Sequence, residues 1–313
     1  MRQATGFAIG VFQLHARCSA MIGYLILVHR FPDQFKRLFK AIYDPRNSYV
    51  VHVDKNSGAA LETEIRGFLQ QYPNAEVMEG HAALWGGYSL VEAELRGMQH
   101  LLAMDRNWSH FINLSGQDFP LKTQSHIMAH LRAHPDREYI KVLDQKKVRP
   151  DTMRRIGEFV IERGGQIEQT LKMRPFIDGA TPYIGNQWMI VSRAFCDFVC
   201  NDGRADPYKD FYRNTFIADE GFFQTVMMNT PVHGEIVNDD LRMIDWVADG
   251  DIKLRPRTYV RKDAAALKAS HDFFARKFEQ DVDGDILSIL EAHLLTQTLR
   301  PAGEPEFVSA SAA

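Results

Sequence analysis

The run Gly23–His29 reads GYLILVH and is bounded by Arg30 and Pro32. An unbroken apolar run this short is a strand buried on both faces, and such strands belong to parallel sheets covered by helices. That requirement sets the rest of the reading. Asp33–Ile42 carries Phe35, Leu38, Phe39 and Ile42 at helical spacing, and Asp44-Pro45-Arg46-Asn47 is a turn. Ser48–Val53 (SYVVHV) is a second buried strand that ends at Asp54. A helix over Ala60–Gln71, a short strand at Glu76–Met78 and a helix over Leu90–Asp105 follow. The strand His110–Leu114 then leads to Ser115-Gly116-Gln117-Asp118, and Thr123–His134 is a helix. Strands and helices alternating at these lengths predict an α/β fold with a mostly parallel, Rossmann-type sheet flanked by helices.

The second half is less regular. Lys141–Arg174 is polar and basic and reads as an insertion or loop-rich section. Gln187–Val191 and Leu241–Asp245 read as strands, and Arg193–Val199 and Asp219–Met228 as helices. Asp263–Lys277 and Ile286–Leu299 read as the last two helices. One catalytic-size domain is expected over 21–299. Residues 1–20 read as a loose extension or a misassigned start, because Arg17 spoils a signal-peptide cleavage region and Met21 directly precedes a strand. The Pro/Ser/Ala-rich 300–313 reads as a disordered tail.

Composition narrows the function classes. A formal net charge of −3 argues against a broad phosphate-binding surface, so nucleic acid is not an expected partner. No stretch reaches the ~18 apolar residues of a membrane-spanning helix. Three cysteines (Cys18, Cys196, Cys200) are too few for a disulfide framework, and a reducing cytosol is the expected compartment.

Ligands of open α/β sheets bind beyond the carboxyl ends of the strands. The polar residues there are His29 and Arg30, Asp54 to Asn56, Ser115 to Asp118, and Asp245 with Trp246. The first turn, His29-Arg30-Phe31-Pro32, is too bulky for a dinucleotide-binding glycine loop, and no P-loop, GxSxG, HExxH or CxxC occurs. Asp54 remains able to accept from a base N–H. His126, His130 and His134 form an i, i+4, i+8 stripe whose simplest reading is a solvated helix face. Asp281-Val282-Asp283 has a D-x-D pattern, but follows a helix rather than a strand, so no metal site is expected.

Six stretches together resemble one known family. They are Phe39–Asn56 (FKAIYDPRNSYVVHVDKN), Leu84–Leu90 (LWGGYSL), Trp108–Thr123 (WSHFINLSGQDFPLKT), Ala218–Gln224 (ADEGFFQ), Asp240–Trp246 (DLRMIDW) and Phe273–Val282 (FFARKFEQDV). Their order is similar to that of the core-2/I-branching β-1,6-N-acetylglucosaminyltransferase and protein O-xylosyltransferase family, glycosyltransferase family 14. WGG and FFARKFE look more like the xylosyltransferase branch. The few cysteines and lack of an anchor look like a bacterial member.

The resemblance implies a GT-A-like fold, inversion at the anomeric carbon, a UDP-sugar donor and no required metal or other cofactor. Inversion needs a carboxylate to deprotonate the acceptor hydroxyl. The resemblance assigns that to Glu220, with Asp219 sharing the role or orienting the acceptor; the plain structural reading is a helix N-terminal acid. Arg276 and Lys277 match the family's diphosphate-binding pair, since cations must neutralise the departing UDP where no metal does. A further arginine is expected upstream, at Arg257 or Arg255. Asp54 matches the aspartate that reads uracil, and His29 is a candidate nucleotide contact. Asp118 contacts the ribose or sugar, or else caps its turn. Trp85 and Gly86 form a donor-side wall or a packing element. Asp245 and Trp246 line the acceptor side. Gln187 stands near the place of an aspartate in xylosyltransferases and cannot act as a base, which puts protein xylosylation in doubt and adds weight to Glu220.

The expected partners are a UDP-sugar donor, carrying xylose or N-acetylglucosamine, and a glycan or protein acceptor. The basic stretch Lys141–Arg155 covers the site, approaches an anionic lipid-linked acceptor at the inner membrane face, or is simply solvated. The rival readings are a nucleotide-sugar-modifying Rossmann enzyme, disfavoured by the missing glycines, and a non-catalytic nucleotide- or carbohydrate-binding module.

Overall fold

The computed structural model describes residues 21–299 apart from 105, 231–233 and 250–252. The expected extension at 1–20 and tail at 300–313 lie outside the described residues. The apolar run forms β1 (Ile22–Val28). It is followed by α1 (Pro32–Ile42), β2 (Ser48–Val53), α2 (Ala59–Leu69), β3 (Ala75–Val77), α3 (Tyr88–Ala103) and β4 (His110–Ser115). A short β5 (Asp118–Pro120), α4 (Gln124–Ala133) and β6 (Arg137–Ile140) come next.

Among the described residues the main sheet has seven strands, in the order Glu235–Val237, β6, Met189–Ser192, β4, β1, β2, β3. β1 runs parallel to β2 and β4, and β2 parallel to β3. Met189–Ser192 is antiparallel to both its neighbours. The mostly parallel α/β sheet expected from the sequence is therefore present. The chain steps outward from β1 through β2 to β3, then returns to place β4 on the other side of β1. The exits of β1 and β4 thus flank a topological switch point, where open α/β sheets leave a crevice.

β1 shows why the sheet is covered on both faces. Ile22, Tyr24, Ile26 and Val28 join one core with α1, α2, α4 and the helix Asp285–Leu299. Leu25 faces the opposite core, built with α3 and the helices Arg193–Asn201 and Phe222–Asn229. Successive strand side chains point to opposite faces, so both sets must be apolar. Among the described residues no helix is long and apolar enough to cross a membrane.

Two expectations are corrected. The section read as loop-rich holds a hairpin, Glu158–Arg163 against Gln166–Met173. Its turn is Gly164-Gly165, with φ of 60° and 76°. Two consecutive positive-φ residues make the tight hairpin turn that suits strand twist, and glycine adopts them without Cβ strain. The single helix expected over Asp263–Lys277 is a short helix, Ala264–Ala269, then a strand, Phe274–Arg276. That strand lies between Arg242–Ile244 and β5 in a second, three-stranded sheet. Arg276 and Lys277 therefore stand at a strand end, not a helix end. β5, β6 and Glu235–Val237 were also unforeseen, being three or four residues long and without a periodic signal.

Candidate active site

The strand exits at the switch point surround a cavity of about 230 Å³. β1 delivers His29, β2 delivers His52 and Asp54, and β4 delivers Ser115; Trp85, Gln187, Trp188 and Arg276 complete its polar and aromatic lining. Four sequence-expected residues, His29, Asp54, Trp85 and Arg276, are brought together here.

Arg276 is placed by a buried ion-pair junction. Asp118 has no exposed surface. Its Oδ1 accepts from Arg276 Nη1 at 2.8 Å, and its Oδ2 from Arg242 Nη1 at 2.8 Å and the Ser115 amide at 2.8 Å. Asp118 therefore closes its own turn while holding two guanidinium groups, and acts on the cavity through Arg276 and Ser115 rather than by lining it. Arg242 is itself buried and also donates to the Asn113 carbonyl at 2.9 Å. Both guanidinium groups lie over the Trp188 ring, at 4.7 Å for Arg242 and 4.6 Å for Arg276. A charge held on two sides in this way is pre-oriented for an anion.

Lys277 is held beside it by Glu279, at 3.0 Å. The same Glu279 oxygen accepts from Arg30 at 2.5 Å and from Gln117 at 3.0 Å. Burial alone would raise the Glu279 carboxyl, but these donors outweigh it and hold it below its usual range. His29 is pushed the other way: burial first, then the charges of Arg30, Arg276 and Lys277, lower its pKa. It is a neutral imidazole at neutral pH, flanked by three cations.

Asp54 Oδ1 accepts from the Asn56 amide at 2.9 Å and from the Ala83 amide at 3.3 Å. It ties the β2 exit to the loop that leads to Trp85. Trp85 is 58% exposed and meets the Phe216 ring edge-on at 6.0 Å. Gly86 has φ of +81°, and a Cβ there would lie 2.8 Å from Phe216 Cε2, so the position is closed to other residues. The Gly86 carbonyl accepts from the Ile217 amide at 2.7 Å, which docks this loop on the Ala218–Glu220 turn.

On that turn Glu220 is about a quarter exposed and pairs with Arg155 at 2.6 Å. It stands outside the cavity's lining. Asp219 is buried, and its Oδ1 has no hydrogen-bond partner among the described residues. Burial, then the charge of Glu220, push its carboxyl up to about 7. Arg257 and Asp245 are also outside the lining. They pair with each other at 2.6 Å, and Arg257 holds Asp263 with two further bonds at 2.9 and 3.1 Å. Trp246 opens the strand Trp246–Asp249, which pairs with Lys253–Pro256, the strand that carries Arg255.

The sequence reading missed Arg242, Arg155 and Glu94, although all three lie in segments it had singled out. Their signal was a charged residue inside an apolar or basic stretch, which does not name a partner. Asp283, from the D-x-D pattern, caps the helix Asp285–Leu299, accepting from the Asp285 and Ile286 amides at 3.0 and 3.3 Å. His130, from the histidine stripe, bonds the Tyr139 hydroxyl at 2.8 Å. Among the described residues Asp239, His271 and Asp272 are the one set of three close enough to share a cation, and His271 is three-quarters exposed.

The family model and the curated relatives agree on one family. The model for the core-2/I-branching enzymes matches residues 22–272. Xylosyltransferase 1 of Rattus norvegicus is 30% identical over 305 residues, covering 91% of this chain and 36% of that protein. A xylosyltransferase of Ciona intestinalis is 30% identical over 292 residues, covering 87% of this chain and 34% of the other. The chain thus spans about a third of the length of these relatives. A solved structure of 4-diphosphocytidyl-2C-methyl-D-erythritol synthase from Anaerococcus prevotii covers 70% of this chain and 87% of its own, with 10% identity and a TM-score of 0.35, too remote to support an argument.

Proposed function

Because the chain belongs to the core-2/I-branching enzyme family, we propose that it is a glycosyltransferase moving xylose or N-acetylglucosamine from a UDP-sugar to a hydroxyl of a glycan or protein acceptor. The observation that carries this reading is the cation cluster at the switch point. Arg276 is fixed by buried Asp118, and Lys277 is held beside it by Glu279. The UDP diphosphate lies against these two cations, with the nucleoside toward Asp54 and His29. Charge grows on the diphosphate as the bond to the anomeric carbon breaks, and prepositioned cations stabilise that charge without reorganising.

In this reading the acceptor oxygen attacks the anomeric carbon from the face opposite the diphosphate, so the configuration inverts. Its proton passes to Glu220, and the electron pair of the breaking bond leaves with UDP. Arg155 orients Glu220, and the buried Asp219 supplies a second carboxyl for the acceptor side. Arg276 and Lys277 take the place a metal would hold at the diphosphate, so the reaction proceeds in EDTA.

The test is UDP release from a panel of UDP-sugars, with EDTA, for wild type and Glu220→Gln. Donor-selective release that survives EDTA and falls at least a hundredfold in the variant is expected. Release that requires a divalent cation refutes the metal-free mechanism. One observation favours a second reading: Glu220 stands outside the lining and is already paired. UDP binding with no turnover on any donor and acceptor, unchanged in Glu220→Gln, would support a binding module instead.

A further inference from the structure

Glu94 is a charged residue type with no exposed surface, on α3, whose Leu90 and Ala93 line the cavity. Its Oε1 accepts from Asn113 Nδ2 at 2.7 Å and from Gln187 Nε2 at 3.2 Å. Its Oε2 is buried without a hydrogen-bond partner among the described residues. The backbone sets these orientations. Asn113 Oδ1 accepts from the Met189 amide at 2.9 Å, so its Nδ2 must face Glu94 and the Gln187 carbonyl, which it meets at 2.9 Å. Glu94 Oε1 is thereby an acceptor, and the end of the Gln187 amide that meets it is the NH₂. Gln187 Oε1 takes no hydrogen bond from the described residues, while the residue itself lines the cavity beside Ser115 and Trp188.

Resting on the UDP-sugar reading above, we propose that Gln187 Oε1 accepts a hydrogen bond from a hydroxyl of the donor's sugar, and that Glu94 is the positioning residue that turns the amide that way. Free rotation would let Gln187 present either end; the clamp to Glu94 leaves the carbonyl oxygen for the ligand. A hydroxyl at the matching ring position is thus recognised by an acceptor already paid for in orientation.

The surroundings of Glu94 favour its protonated form. Burial first, and then the charge of Asp219, push its carboxyl well above the usual range. The ionisable groups acting on this pair are Asp219 on Glu94, and Glu220 and Arg155 on Asp219. A carboxylate would leave a full charge on an oxygen that no donor meets, whereas the acid form turns that atom into a donor.

Calorimetric Kd values for UDP, UDP-xylose and UDP-N-acetylglucosamine decide the matter, in wild type, Gln187→Ala, Glu94→Leu and Glu94→Gln. Gln187→Ala and Glu94→Leu are expected to weaken the preferred UDP-sugar about tenfold and to change UDP less than about twofold. Glu94→Gln keeps the accepting Oε1 and places an N–H donor where the acid proton was, so it recovers most of the loss. The infrared band of a protonated carboxyl in wild type should also weaken in Glu94→Gln. Equal weakening of UDP and UDP-sugar in Gln187→Ala, or no recovery in Glu94→Gln, overturns the proposal. A wild type that binds none of the three refutes the UDP-sugar reading and this contact with it, which separates the two failures.

Discussion

Replacing Asp118 by asparagine tests the junction on which the site is built. The substitution keeps the shape of the side chain and removes its charge. Two guanidinium groups then lose their counter-ion, but they differ in what happens next. Arg276 has 15% of its side chain exposed and can turn to water, whereas the Arg242 side chain has none. The Arg242 charge is left in the interior with the Asn113 carbonyl as its remaining acceptor. Breaking a buried pair by removing one partner costs about 3–5 kcal/mol. The unfolding entropy of a chain this size is about 0.6 kcal/mol per degree, from about 2.1 cal/mol/K per residue, so Tm should fall by about 5–8 °C. Urea unfolding gives the free energy and calorimetry the Tm. Arg276→Met is the control, because Asp118 then keeps its buried partner; it should cost less than about half as much. A loss below about 1 kcal/mol in Asp118→Asn would refute the reasoning, since it would mean that the more distant charges of Asp240 and Asp272 suffice to hold Arg242 in the interior.

The Asp219 carboxyl, raised to about 7 by burial and by Glu220, makes the native state hold a proton that the unfolded chain releases near its ordinary value of 3.8. Asp219 should therefore make stability fall as pH rises from about 4 to 7, by up to about 1.4 kcal/mol per pH unit, and Asp219→Asn should remove that share of the slope in urea titrations at several pH values, leaving the share of Glu94. Arg276→Ala should weaken UDP binding by about 10–100-fold, the worth of one or two charge-assisted bonds, as read by calorimetry. Gly86→Ala combines a positive φ with a contact at 2.8 Å to Phe216, and should lower the urea unfolding free energy by about 1–3 kcal/mol.

Much of the frame was legible because its signals are local. The β1 to β4 half carries strands buried on both faces and helices with a clear apolar stripe, and each follows from its own residues. The failures came where a neighbour decides the outcome. Phe274–Arg276 has no alternation of its own and is a strand because Arg242–Ile244 and β5 lie on either side of it. The hairpin at Glu158–Met173 did carry a signal, the Gly164-Gly165 pair, that its polar composition concealed.

The amino-acid sequence by itself determined five of the seven strands of the main sheet, most of their helical cover and the residues that stand at the strand exits, because burial and periodicity are properties of a few adjacent side chains. Only the tertiary structure decided who pairs with whom. Asp118 meets Arg242 and Arg276, 124 and 158 residues away, and Glu94 meets Asn113 and Gln187, 19 and 93 residues away. A charged side chain announces that it needs a partner once buried, but the partner comes from whichever strand the topology lays beside it, and no local pattern encodes that choice.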